Sequence, residues 1–308
     1  MASTYTHAIV ADQLAQNICG IGNGKISSEY QSFILSDTIL IQIGAFCPDL
    51  PYLDETYVPD IFDVVEQARW GDLMHFVHSG KLIFWGTEKL QEMKNCGDMR
   101  RFRKCFPWFL GLVSHLIVDT VVHPVVEKIV GPYFDGKEMP HMECEMYQDV
   151  WLNDLIYKAK LPELNLIETV KRINDKEIIE FWEELLKFCY RFYWYDAPPV
   201  IVEWIKDYQS KVSSATSGWF AFGPFTKYCF PDLSGPKTKK FILDLETPIG
   251  KMSYDKIFTE HMIPRVLDFW KIVIDGISGK SKIYQRIEDF DMDSGKYLKS
   301  GKYVSWEK

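Results

Sequence analysis

Residues Met99 to Val130 read MRRFRKCFPWFLGLVSHLIVDTVVHPVVEKIV, and this stretch decides the fold. The greasy run Phe106–Phe134 is long enough to suggest a membrane span, but His115, Asp119, His123, Glu127 and Lys128 interrupt it. A span rarely carries so many ionisable groups. The reading is therefore a long central helix, Met99–Val130, buried all round in a soluble protein. Pro124 is expected to end or kink it near His123, because proline lacks the N–H and clashes with the preceding turn.

Outward from this helix, helical periodicity dominates. Helices are expected at His7–Cys19, closed by the turn-rich GIGNGK, at Ser27–Ile43 as one or two short pieces, at Asp60–Val77 and at Lys81–Asn95. A loop is expected around Pro48, Pro51 and Pro59, and another at Gly131–Pro140. Further helices are expected at His141–Tyr157, Leu164–Arg172, Lys176–Tyr195, Pro198–Ser213 and Tyr254–Ile277. Strand signals are few and short, so the expected class is all-α. The chain divides in this reading into residues 1–160 and a helical extension, 161–308, packed on them. No linker composition marks the division.

Composition narrows the function. The 308 residues carry a net charge of −8, which gives no overall electrostatic footprint for nucleic acid. The seven cysteines are odd in number and widely spaced, without a C-x-x-C pair, so neither a disulfide framework nor a thiolate zinc motif is indicated. The opening MASTYTHAIV has no basic n-region and no long apolar stretch follows, so no signal peptide is expected. A cytoplasmic, reducing location is the expectation, without stable membrane anchoring. Of seven histidines, six fall in the first 141 residues.

Three patterns concentrate these histidines. In the central helix, His115, Asp119 and His123 form H-x3-D-x3-H, and residues four apart lie on nearly the same helical face. His141 and Glu145 repeat the spacing as H-x3-E, and PDLPY places Asp49 on a proline-bounded loop ahead of His75 in WGDLMH. Imidazole and carboxylate are good zinc ligands, and catalytic sites combine them with an open position. A lone histidine on an apolar helix is ordinarily a packed residue. Asp119 inside LVSHLIVDTVV changes the balance, since a carboxylate is costly to bury unless paired or metal-bound. On their own, Asp49, His75 and His7 carry less weight.

STYTHAIVADQL, GAFCPDLPY, WGDLMH, FLGLVSHLIVDTVVHPVV and HMECE occur in this order over residues 1–160. Together they resemble the zinc-dependent phospholipase C family, especially bacterial members without a secretion signal. Single-strand-specific zinc nucleases share the fold. The resemblance implies an all-helical domain holding two or three zinc ions. By it, Asp49, His75, His115 and Asp119 hold one ion, with Asp119 bridging to another. His123, His141 and Glu145 hold a second, and His7 helps hold a third. In secreted members the third ion also takes an N-terminal Trp, and this sequence has no Trp before His7.

The expected activity is phosphodiester hydrolysis of phospholipase C type by a metal-activated water, with Asp49 accepting a proton. The substrate is a phosphoester, a phospholipid or a nucleotide. Alternatives are a nuclease, a phosphomonoesterase on a small soluble phosphate, and an inactive metal-stabilised binding protein. His78 is a neighbour of the site or the ligand in place of His75, which is favoured. Glu143 and Asp72 could orient ligands, Cys144 reads as a packed thiol, and His261 as a surface or interface residue. The aromatics of residues 181–204 read as core. The run Trp219, Phe220, Phe222, Phe225 reads as core or as a lid over the site.

Overall fold

The computed structural model describes residues 4–53, 68–132, 136–158, 172–216 and 231–306. Its elements begin with α1 (Thr4–Gln16), the single turn α2 (Ile18–Ile21), α3 (Ser28–Ser36) and α4 (Thr38–Phe46). A 3-10 turn, Cys47–Leu53, leads on towards α5 (Ala68–Phe76), α6 (Ser79–Cys96), α7 (Met99–Val130) and α8 (Glu138–Tyr157). Further helices span Lys176–Cys189, Arg191–Asp196, Ile201–Thr216 and Ile263–Ile277. Strands are limited to two short antiparallel hairpins among the described residues. In one, β1 (Leu245–Thr247) pairs with β2 (Gly250–Met252). In the other, β3 (Phe290–Asp291) pairs with β4 (Lys296–Tyr297), with Phe290 opposite Tyr297 and Asp291 opposite Lys296. The fold is all-α.

The 32-residue α7, about 48 Å long at 1.5 Å per residue, is the axle. Asp98 starts it by accepting a bond from Arg101 N at 3.3 Å. Every residue from Cys105 to Val126 is buried, so this stretch of the helix has no wet face. It is long and apolar enough to cross a bilayer, but its apolar window is wholly covered by protein. Tryptophans from distant segments dock on it. Trp270 Nε1 donates to Leu110 O and Ser114 Oγ, and Trp306 Nε1 donates to Val121 O.

Helix α4 meets α7 with backbones almost touching. A methyl group at Gly44 would lie 1.8 Å from Trp108 O, and one at Gly111 would lie 1.9 Å from Ile41 O. Only paired glycines permit this crossing. It brings the carbonyl of Ala45 beside His115.

Pro124 does not end α7 near His123: the helix continues to Val130. Proline at 124 forfeits one bond, the one to Thr120 O. Packing on all sides holds the backbone there, and Gly295 lies against that same carbonyl and the Pro124 ring. Other boundaries shift modestly: the first helix runs Thr4–Gln16 rather than His7–Cys19, and Lys176–Tyr195 is two helices divided at Tyr190. The expected helix across 164–171, the loop at Pro59, the start of Asp60–Val77 and the Trp219–Phe225 run lie outside the described residues.

One hydrophobic cluster runs from Ala8 to Trp306 and draws on both sides of residue 160. Phe181, Trp182, Tyr190 and Trp204 are buried in it, whereas Phe192 and Tyr195 face solvent.

Candidate metal centre

Eight ionisable side chains converge at the heart of this core. His7 comes from α1, Asp49 from the 3-10 turn and His75 from the last turn of α5. His115, Asp119 and His123 form one stripe of α7, and His141 and Glu145 one stripe of α8. None is more than 5% exposed. Thr6 fixes the approach of α1, its N and Oγ1 donating to Asp149 Oδ1 of α8 at 2.7 and 2.8 Å.

Two of the histidine rings are aimed by backbone carbonyls. His75 Nδ1 lies 2.8 Å from Gly71 O, and His115 Nδ1 lies 2.9 Å from Ala45 O. Carbonyl oxygens only accept, so each Nδ1 carries a hydrogen, and each ring turns its Nε2 edge inward. These two Nε2 atoms lie 3.1 Å apart. Asp49 Oδ1 is 3.3 Å from His75 Nε2 and 3.8 Å from His115 Nε2. Asp119 Oδ2 is 3.5 and 3.2 Å from the same two atoms. Each of the two carboxylates thus approaches both histidine nitrogens at 3.2–3.8 Å. Ligands about 2.0–2.1 Å from a tetrahedral zinc are about 3.3 Å from one another, which matches this spacing.

Asp119 divides its oxygens. Oδ2 serves His75 and His115, while Oδ1 faces His7 Nε2 at 3.1 Å and His123 Nε2 at 3.5 Å. His7 also stacks on His115, with ring centroids 4.0 Å apart. His123 Nε2 is 3.9 Å from Glu145 Oε1. Two groups bring their donor atoms within 4.8 Å of one another among the described residues: His7, His115 and Asp119, and Asp49, His75 and His115. His123, His141 and Glu145 fall in neither. His141 Nε2 donates to Gly131 O at 2.6 Å, which leaves Nδ1 as the lone-pair atom of the neutral ring.

The chemistry of the pocket fits a divalent cation. Both oxygens of Asp49 and of Asp119, His123 Nε2 and Glu145 Oε1 are sealed from solvent without a well-aligned hydrogen bond. Buried polar atoms left this way are costly. Burial would raise the Asp119 pKa, but His115, His123 and His7 hold it well below the usual carboxylate range. Burial and His115 push His7 down. Burial pushes Glu145 up to about 8. For His123 burial acts downward, but Asp119, Asp293 and Glu145 prevail and raise it to about 10.

Asp293 is a neighbour of this cluster that sequence reasoning missed. Its Oδ1 lies 2.6 Å from His123 Nδ1. Its only sequence signal is the acidic run EDFDMDSG at 288–295, which reads equally as a solvated turn. Other candidates find different places. His78 sits beyond α5 with φ +61°, facing Asp289 at 3.3 Å and outside both groups of candidate ligands. Asp72 accepts from Tyr52 Oη at 2.9 Å, Glu143 pairs with Lys237, and Cys144 is buried. His261 packs on Trp306, with centroids 4.4 Å apart.

A family model described as zinc-dependent phospholipase C matches residues 6–215, which carry all eight converging side chains. No curated protein and no solved structure matches the chain. With more than half of its length inside that match and its buried histidines and aspartates arranged to hold a metal ion, the chain belongs to the zinc-dependent phospholipase C family.

Proposed function

We propose that this protein is a phospholipase C-like phosphodiesterase that holds two or three zinc ions. The observation that carries the reading is the buried cluster of His75, His115, Asp49 and Asp119, drawn from three separate elements, in which each carboxylate lies 3.2–3.8 Å from both histidine Nε2 atoms. In this reading these four residues hold one ion. His123, His141 and Glu145 hold a second, and His7 with Asp119 helps hold a third. When bound, such ions supply Lewis acidity, lowering the pKa of water toward about 7 and offsetting charge on a phosphoryl group.

The chain's own residues do the rest. Asp119 presents one oxygen to each side and keeps neighbouring positions at a fixed separation. Asp49 turns Oδ1 to the histidines and keeps Oδ2 free of hydrogen bonds, so Oδ2 can hold a proton taken from water. The residues 1–160 carry the ligands, and the described part of 161–308 shares one hydrophobic core with them. Free cysteines throughout the described residues support action in a reducing, cytoplasmic compartment. The net charge of −8 favours a lipid or small phosphodiester over a long polyanion.

The test is metal analysis of the purified protein together with hydrolysis of a chromogenic phosphodiester and of phosphatidylcholine. Zinc above one ion per chain, and loss of both zinc and activity in Asp119→Ala, are expected. Protein without zinc, or an Asp119→Ala variant with unchanged zinc, overturns the reading. Cleavage of single-stranded oligonucleotides but not of phosphatidylcholine would assign the site to nucleic acid instead.

A further inference from the structure

We propose that Asp293 is a positioning residue of the metal centre, holding His123 in the tautomer and orientation that present Nε2 as a ligand. The inference rests on the zinc reading above and extends it to a segment beyond the family match, which stops at residue 215.

The geometry is that of a histidine gripped from behind. His123 Nδ1 and Asp293 Oδ1 are 2.6 Å apart, and an ionised carboxylate only accepts, so Nδ1 donates. In the neutral ring that a metal requires, the lone pair is then on Nε2, which faces Asp119 Oδ1 at 3.5 Å and Glu145 Oε1 at 3.9 Å, sealed from solvent. His75 and His115 are aimed in the same manner, but by neutral backbone carbonyls. His123 alone of the three has a charged acceptor. A carboxylate behind a ligating imidazole fixes its orientation and raises its basicity.

Asp293 is itself held on a stiff mount. It lies in the turn of the β3–β4 hairpin, where Asp291 Oδ1 accepts from Ser294 N at 2.8 Å. Ser79 Oγ donates to Phe290 O and accepts from Phe290 N, both at 2.7 Å. Met292 N reaches His75 O at 3.3 Å. Gly295, with φ +65°, lies against Thr120 O, three residues before His123, and against the ring of Pro124, the next residue. One hairpin therefore touches both the helix carrying His75 and the helix carrying His123.

The experiment measures zinc affinity by chelator competition in the wild type, Asp293→Ala, Asp293→Asn and Asp293→Glu. It adds 15N-histidine NMR of the zinc-loaded proteins, with folding verified by circular dichroism. Asp293→Ala should weaken one class of zinc by about 10–100-fold, leave another class near the wild-type value, and erase the slowly exchanging Nδ1–H signal of His123. Asp293→Glu should restore part of the affinity, and Asp293→Asn should keep the signal with reduced affinity. In a His123→Ala background, Asp293→Ala should add nothing further. A folded Asp293→Ala protein with unchanged zinc affinities and an unchanged His123 signal overturns the proposal alone. A wild type that binds no zinc overturns the metal reading on which it rests.

Discussion

His75 Nε2 and His115 Nε2 face each other at 3.1 Å while both rings give their Nδ1 hydrogens to backbone carbonyls. Two carboxylates flank them, so four ligand-type side chains crowd one buried space. Removing a cation from such a pocket should cost stability. Dialysis against a strong chelator should lower the melting temperature, and zinc, but not magnesium, should restore it. Ligand at about 100 times its Kd contributes about 2.7 kcal/mol. A melting temperature indifferent to complete zinc removal would contradict this.

The response to pH should differ between metal-free and zinc-loaded protein. In the metal-free fold His123 is raised to about 10 and Glu145 to about 8, both above their unfolded values. Folded protein then binds more protons than unfolded protein between about pH 5 and 10, so metal-free stability should fall as pH rises through that window. Zinc requires deprotonated ligands, so its contribution grows with pH. The gap between the two melting curves should widen from pH 6 to pH 9. Calorimetry in buffers of different ionisation enthalpy should show proton release on zinc binding near neutral pH.

The crossing of α4 on α7 should tolerate no side chain. Gly44→Ala and Gly111→Ala each place a methyl group within 2 Å of a backbone oxygen. We expect a loss of about 1–3 kcal/mol or more in denaturant melts. Weaker zinc binding should accompany it, because Ala45 O moves off His115. Gly20→Ala, with nothing within 4 Å, should change neither.

Asp175 offers a contrast remote from the metal. It caps the helix Lys176–Cys189, accepting from Glu177 N at 2.9 Å, and pairs with Lys104 Nζ at 2.7 Å. Asp175→Ala should cost about 1 kcal/mol in chemical denaturation and leave zinc content intact.

Much of this architecture was readable in advance. The span of α7 followed from a long apolar run interrupted at His115, Asp119, His123, Glu127 and Lys128, because such a helix must be buried and its polar groups must meet partners. His115, Asp119 and His123 were legible for the same reason. Asp49, His75 and His7 are local residues whose convergence is tertiary, and family resemblance, not periodicity, pointed to them. The position of His78, three residues from His75, depends on a left-handed backbone at the end of α5 that no pattern announces. Pro124 misled because the cost of one lost hydrogen bond is small beside the packing around α7. Asp293 was invisible because its meaning lies in a contact with a residue 170 positions away.

That separation has a consequence for how the protein comes into being. At about 5–20 residues per second, a ribosome takes roughly 10–30 s to add the chain between His123 and Asp293. Throughout that interval α7 can already exist, yet the ring of His123 has no carboxylate behind it. On the role proposed for Asp293, metal loading of this side of the centre belongs to the end of biogenesis, after the last hairpin has docked, and a nascent chain stalled before residue 293 carries its ligand residues without the carboxylate that orients His123.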